Sequence, residues 1–141
     1  MLHTIELKFK PILSTVPEEC AKIEDLLIEK GVSPECAYKA RCIAHEVIVN
    51  AVRHGKIKDN NSEISLIIKQ ETDSLSLEFI DCGMEWQPNN DLIQKPDHYS
   101  TDEELYAPFG KGLRLIGSMC RSYELFRCNG KNHTSISVGL K

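Results

Sequence analysis

Residues 46–55 read Glu46-Val47-Ile48-Val49-Asn50-Ala51-Val52-Arg53-His54-Gly55. Glu46, Asn50 and His54 recur at i, i+4 and i+8. On an α-helix each such step drifts only about 40° around the axis, so the three polar groups form one stripe. Upstream, Ala37, Ala40, Ala44, Val47 and Ala51 recur at three- and four-residue spacing, which marks a second face of small apolar residues that packs closely on something. Ser33-Pro34-Glu35 carries a helix start, and Gly55 a stop. The pattern predicts a long helix from about Glu35 to His54.

Outward from this helix the chain alternates between strand and turn signals. Leu2 to Phe9 alternates in part and reads as a strand that ends at Pro11. Ser14-Thr15-Val16-Pro17-Glu18-Glu19 offers cap candidates, a proline suited to a first turn and early acidic residues, and the helix it opens runs to about Lys30 before Gly31. Downstream, Lys58 to Ser62 is a polar turn. Ile64–Ile68 and Leu75–Asp81 read as two strands of an antiparallel hairpin across Thr72-Asp73-Ser74. Gly83 to Phe109 is irregular, with Pro88, Pro96 and Pro108; loops this long inside a compact domain are usually functional, often lids. Its acidic stretch, Asp91 to Pro108, reads as a lid, a solvated loop or a partner surface. A short helix from Leu113 to Cys120 and two strands, Ser122–Cys128 and Thr134–Leu140, around a turn Asn129-Gly130-Lys131-Asn132 complete the chain. The order β-α-α-β-β-loop-α-β-β predicts an α+β two-layer sandwich: a mixed, mostly antiparallel sheet covered on one face by helices.

Composition bounds the function classes. The 141 residues fit one domain, 1–141, with 41% hydrophobic and 27% charged residues. A net charge of −4 argues against nucleic acid or an anionic membrane as partner, while leaving room for an anionic ligand at backbone N–H groups. No apolar run approaches the ~20 residues of a membrane span, and the N-terminus has no signal-peptide pattern, so a cytoplasmic location is expected. The six cysteines form no CxxC pair and no zinc spacing, and are expected as buried or half-buried free thiols.

Three short motifs carry chemistry. On the long helix, the Glu46 carboxylate can orient or deprotonate a nucleophile, and Asn50 offers a neutral carbonyl oxygen of the kind Mg²⁺ accepts. At a strand end, Asp81-Cys82-Gly83 places a carboxylate that can accept from an exocyclic amine such as adenine's, with a glycine that permits close approach. Gly110-Lys111-Gly112-Leu113 opens a helix with N–H groups and a dipole suited to phosphate, and a lysine charge beside them. It is neither a Walker A loop nor a Rossmann fingerprint. Taken singly, each motif also has a plain structural reading: a solvated polar stripe, an Asp-x-Gly turn, a glycine-rich linker.

Taken in order, the three motifs resemble the N, G1 and G2 boxes of the GHKL (Bergerat-fold) ATPase superfamily, along nearly the whole chain. The resemblance implies ATP and Mg²⁺ as ligands. It implies Glu46 as catalytic base, Asn50 as the Mg²⁺ ligand, Asp81 and Gly83 at the adenine, and Gly110, Lys111, Gly112 and Leu113 at the phosphates. Thr134 matches a threonine that the family places near the adenine-binding Asp, and it also suits a plain strand position. His54 ends the N box, where it can equally cap the helix C-terminus. Only 45 residues precede Glu46, and Asp81-Cys82-Gly83-Met84-Glu85-Trp86-Gln87-Pro88 follows an Asp-x-Gly-x-x-(aromatic)-x-Pro segment. Both features look like the RsbW-like anti-sigma serine kinases. That resemblance implies a protein serine/threonine kinase that phosphorylates an anti-anti-sigma partner and sequesters a sigma factor, and it is compatible with a homodimer. Glu85 departs from the fuller Asp-x-Gly-x-Gly pattern, which keeps open a nucleotide-binding or degenerate interaction module with little or no kinase activity.

Overall fold

The computed structural model describes residues 4–54, 62–85 and 119–140. Strand β1 (Thr4–Phe9) leads through a 3-10 turn (Leu13–Thr15) into helix α1 (Val16–Glu29) and then α2 (Pro34–His54). Strands β2 (Ile64–Gln70), β3 (Ser74–Asp81), β4 (Ser122–Cys128) and β5 (Lys131–Gly139) follow. The five strands form one sheet in the order β1-β2-β3-β5-β4, and every pairing is antiparallel. The α+β two-layer expectation holds. Residues 55–61 and 86–118 lie outside the described part, and with them Gly55, most of the polar turn, nearly all of the irregular acidic stretch and most of the short helix expected at Leu113–Cys120.

Both helices are bounded by chemistry that the sequence spells out. Thr15 stands before α1, yet its hydroxyl turns back and donates to the Ile12 carbonyl at 2.9 Å instead of capping the helix. Pro17, Glu18 and Glu19 supply the start, the acidic pair lying in the first turn where the helix dipole favours negative charge. At the other end Gly31 adopts φ +95°, its N–H bonds to the Ile28 carbonyl at 3.0 Å, and the Val32 N–H reaches back to Leu27 at 2.9 Å. This is a Schellman closure, and its apolar contact pair, Leu27 and Val32, is buried. In α2 the Ser33 hydroxyl oxygen accepts from the Cys36 N–H at 3.2 Å, with Pro34 as the first helical residue.

The core lies between these helices and one face of the sheet. Alternation commits Ile64, Leu66 and Ile68 of β2, Leu75, Leu77 and Phe79 of β3, and Ile136 and Val138 of β5 to that face, all of them buried. From the helix side Ala37, Ala40, Ala44, Val47 and Ala51 are buried as their spacing predicts, joined by Ile43 and Ile48. The small residues let α2 approach, and it packs on β3 and β5.

One strand boundary differs from the sequence expectation, with consequences for the site. The turn between the last two strands is not four residues long. Asn129 and Gly130 alone turn the chain, at φ 52° and 75°, and Cys128 pairs directly with Lys131. Positive φ at both central residues defines the I′ geometry that matches strand twist, and Asn-Gly is its preferred sequence. β5 therefore begins at Lys131, and Asn132 lies inside the ladder.

All six cysteines are free. Cys20 and Cys36 are buried, and burial pushes the Cys20 thiol up to about 12 and raises that of Cys36. Cys42 and Cys120 are half-buried, but Cys82 and Cys128 are exposed, contrary to the expectation of buried or half-buried thiols. Cys82 lies just past the end of β3, and Cys128, at the end of β4, alternates with Arg127 and so points away from the face that α1 and α2 cover. A maleimide pulse on the native protein, read by peptide mass mapping, is expected to label Cys82 and Cys128 first and to leave Cys20 and Cys36 unmodified until the chain is unfolded.

Candidate functional site

The helix-covered face is apolar along most of its length and turns polar at one end. Among the described residues the buried polar side chains are Asn50 (4% exposed), Asp81 (4%), Asn132 (1%) and Thr134 (4%). Asn50 comes from α2. The other three come from adjacent strands: Asp81 stands opposite Asn132, and Thr134 stands opposite Phe79, one step along the same face. Alternation that points Leu75, Leu77 and Phe79 into the core points Asp81 there as well.

The surroundings of Asp81 are asymmetric. Its Oδ1 accepts the Gly83 N–H at 2.9 Å, a local turn of the kind Asp favours, and the Asn132 Nδ2 amide at 3.0 Å. The same amide nitrogen donates to the Met84 carbonyl at 2.9 Å. Arg127, from β4, donates through Nη1 to the Gly83 carbonyl at 2.8 Å and to Asn132 Oδ1 at 3.0 Å. No described residue donates to Asp81 Oδ2. Burial is the largest influence on this carboxyl and raises it above its ordinary 3.8. The donors at Asn132 and Gly83, then the charges of Arg127 and His133, pull the other way. The result is a carboxylate held in place on one oxygen and short of donors on the other, so a ligand N–H directed at Oδ2 would relieve a desolvation cost the fold already carries.

On α2, Asn50 is buried, and no described residue hydrogen-bonds its side-chain amide. One turn earlier the Glu46 carboxylate is partly open, 23% exposed, with His45 Nδ1 3.5 Å from its Oε1. Glu46 lines a cleft of about 300 Å³ with Tyr38, Arg41 and Cys42 of α2 and Pro17 and Cys20 of α1. The polar stripe is therefore split by environment: Asn50 faces the core and Glu46 faces an open cleft.

Of the residues expected from sequence, Asp81, Gly83 and Thr134 come together at the end of the sheet, and Glu46 and Asn50 stand on the helix that packs over β3 and β5. His54 is the last residue of α2, but its side chain lies outside the described part, as do Gly110, Lys111, Gly112 and Leu113. Two residues were missed, Asn132 and Arg127. The signal for Asn132 was the Asn129-Gly130 dipeptide, which closes the turn two residues earlier and puts Asn132 in register with Asp81. Nothing in the sequence singles out Arg127 before that register is known.

The structure is a two-layer α/β sandwich with a buried amide on its long helix and a buried carboxylate at a strand terminus. The family model of the histidine kinase-like ATPase domain matches residues 9–138, and the chain belongs to that family. Among solved structures, the RsbU and RsbW domains of Rv1364c from Mycobacterium tuberculosis share the fold, with a TM-score of 0.63 at 13% identity. The match covers 96% of this chain and 31% of that one, so this chain spans about a third of the length of its structural neighbour. No curated protein matches the sequence. Among the described residues no helix is long and apolar enough to cross a membrane.

The raised carboxyl fixes the sign of a stability test. Asp81 keeps its proton to higher pH in the folded chain than in the unfolded one, so folding takes up protons across a window that opens near 3.8. Its contribution to stability falls as pH rises through that window, and the full penalty is present at neutral pH. Asp81→Asn keeps an acceptor at Oδ1 and removes the charge. The variant is expected to melt at or above the wild-type temperature at pH 7, with the gap closing as pH falls below about 4. Melting well below wild type at pH 7 would contradict this reading.

Proposed function

We propose that the chain is an ATP-dependent protein serine/threonine kinase that acts as an anti-sigma regulator, phosphorylating a serine on an anti-anti-sigma partner and sequestering a sigma factor. The observation that carries the reading is the set of buried polar groups. A core of this size gains nothing from an amide without a partner among the described residues and a desolvated carboxylate, and apolar residues there would stabilise the fold more. Their placement on the helix and at the strand end suits an adenine nucleotide. Membership of the histidine kinase-like ATPase family and the RsbW-containing structural neighbour support the same reading.

The residues fit the ligands this function needs. Asp81 would receive the adenine amine at Oδ2, with Thr134 beside it. Asn50, a buried amide without a partner among the described residues, would hold Mg²⁺, which keeps most of its waters and takes few protein oxygens. When bound, the ion neutralises charge on the triphosphate. Gly110, Lys111, Gly112 and Leu113 complete the proposal at the phosphates, with His54 at the end of the stripe. Glu46, open to the cleft, would orient the acceptor hydroxyl and take its proton.

Glu85 favours a second reading. It is exposed where the fuller motif has a glycine, and a domain without that hinge would serve as a nucleotide-binding interaction module with little transfer.

Titration calorimetry and a transfer assay separate the two. Wild type is expected to bind Mg-ATP, and Asp81→Asn to bind it about tenfold or more weakly, the scale of a lost hydrogen bond to a charged group. Glu46→Gln is expected to retain nucleotide while transfer to a serine-bearing partner falls by about 10²–10⁴. ATP binding and partner capture with no transfer in the wild type would select the interaction module. A folded wild type that binds no adenine nucleotide would overturn both.

A further inference from the structure

Arg127, Asn132 and Asp81 occupy one row across three strands: Arg127 of β4 pairs with Asn132 of β5, which pairs with Asp81 of β3. Each member fixes the next. A guanidinium only donates, so the Asn132 atom 3.0 Å from Arg127 Nη1 must be the amide oxygen. That choice turns Nδ2 towards Asp81 Oδ1 and the Met84 carbonyl, both acceptors, at 3.0 and 2.9 Å. Arg127 also holds the Gly83 carbonyl at 2.8 Å, on the turn whose N–H supplies the second bond to Oδ1. Two donors on one oxygen set the plane of the carboxylate and leave Oδ2 as its only acceptor without a described partner.

We propose that Asn132 and Arg127 are positioning residues that sharpen base specificity: by holding Asp81 through Oδ1 they aim Oδ2 at an exocyclic amine, a contact that a base with a carbonyl at that place cannot make. The proposal rests on the nucleotide-binding reading above. A carbonyl presented to Oδ2 would set two acceptors against each other in a desolvated site, which is the arrangement that discriminates most strongly. Without Arg127 the Asn132 oxygen and the Gly83 carbonyl lose their shared donor, and the turn and amide that hold Asp81 Oδ1 are less firmly placed. Without Asn132 the carboxylate keeps a single tether and is free to rotate, so no oxygen is held on the line of the amine and the amine loses the geometric part of its advantage.

The test compares dissociation constants for ATP and inosine triphosphate, which carries a carbonyl where adenine has its amine. It uses wild type, Asn132→Leu, Arg127→Met and Arg127→Lys, with a melting curve for each. Wild type is expected to prefer ATP by at least about tenfold; Asn132→Leu and Arg127→Met are expected to weaken ATP by about tenfold while inosine triphosphate changes by less than about twofold. Arg127→Lys, which still donates, is expected to recover part of the preference. Arg127 is exposed, so its variants carry the test if Asn132→Leu does not fold. Equal weakening of both nucleotides would mark a merely structural role and overturn the proposal, as would an undiminished preference in folded Arg127→Met. A wild type that binds neither nucleotide would overturn the reading beneath it.

Discussion

A strand commits each side chain to one face of its sheet, and the register between strands decides which of them meet. In β3 and β5 that commitment sets Asp81 opposite Asn132 on the face that also carries Leu77, Phe79, Ile136 and Val138. A slip of one residue would turn the carboxylate to the face opposite α1 and α2 and take the apolar row out of the core. The apolar majority of the two strands therefore enforces the burial of their polar ends. The two-residue turn at Asn129-Gly130 fixes the β4–β5 register and brings Arg127 into the same row. The site is thus a by-product of a register that the core requires.

Local energetics at that row run against stability. Burial disfavours the charged carboxyl, and the donors at Gly83 and Asn132 offset only part of the cost. The rest of the domain supplies the margin. Two helices, with the Gly31 closure ending the first and the Ser33 cap opening the second, press small residues and large aliphatics onto the sheet. Removing a large buried aliphatic such as Ile48 would cost about 2–5 kcal/mol, so a few such contacts balance one poorly solvated carboxylate. The helix side follows the same division: Asn50 is taken into the layer while Glu46, one turn away, stays open to a cleft.

Much of this was legible in the sequence because it depends on short-range chemistry. The long helix showed in the spacing of Ala37 to Ala51, its start in Ser33-Pro34, and the hairpin in the alternation of Leu75 to Asp81. Glu46, Asn50, Asp81, Gly83 and Thr134 are singled out by an order along the chain that resembles a family pattern, and the structure buries Asn50, Asp81 and Thr134 among them. Asn132 was not, because its role depends on a partner 51 residues away and on a turn taken as two residues too long. Arg127 was hidden for the same reason: an arginine near a strand end is unremarkable until the ladder sets it beside an amide. Thr15 misled in the opposite direction, since a hydroxyl just before a helix can serve the preceding turn instead. The exposed thiols of Cys82 and Cys128 were missed because facing depends on which side of the sheet the helices cover.

The most direct measurement is a crystal structure of the protein with Mg²⁺ and a non-hydrolysable ATP analogue. The account predicts the adenine amine within hydrogen-bond distance of Asp81 Oδ2, Oδ1 still held by Gly83 and Asn132, and the ion on the Asn50 amide oxygen. A nucleotide bound elsewhere, or with its base turned away from Asp81, would contradict it.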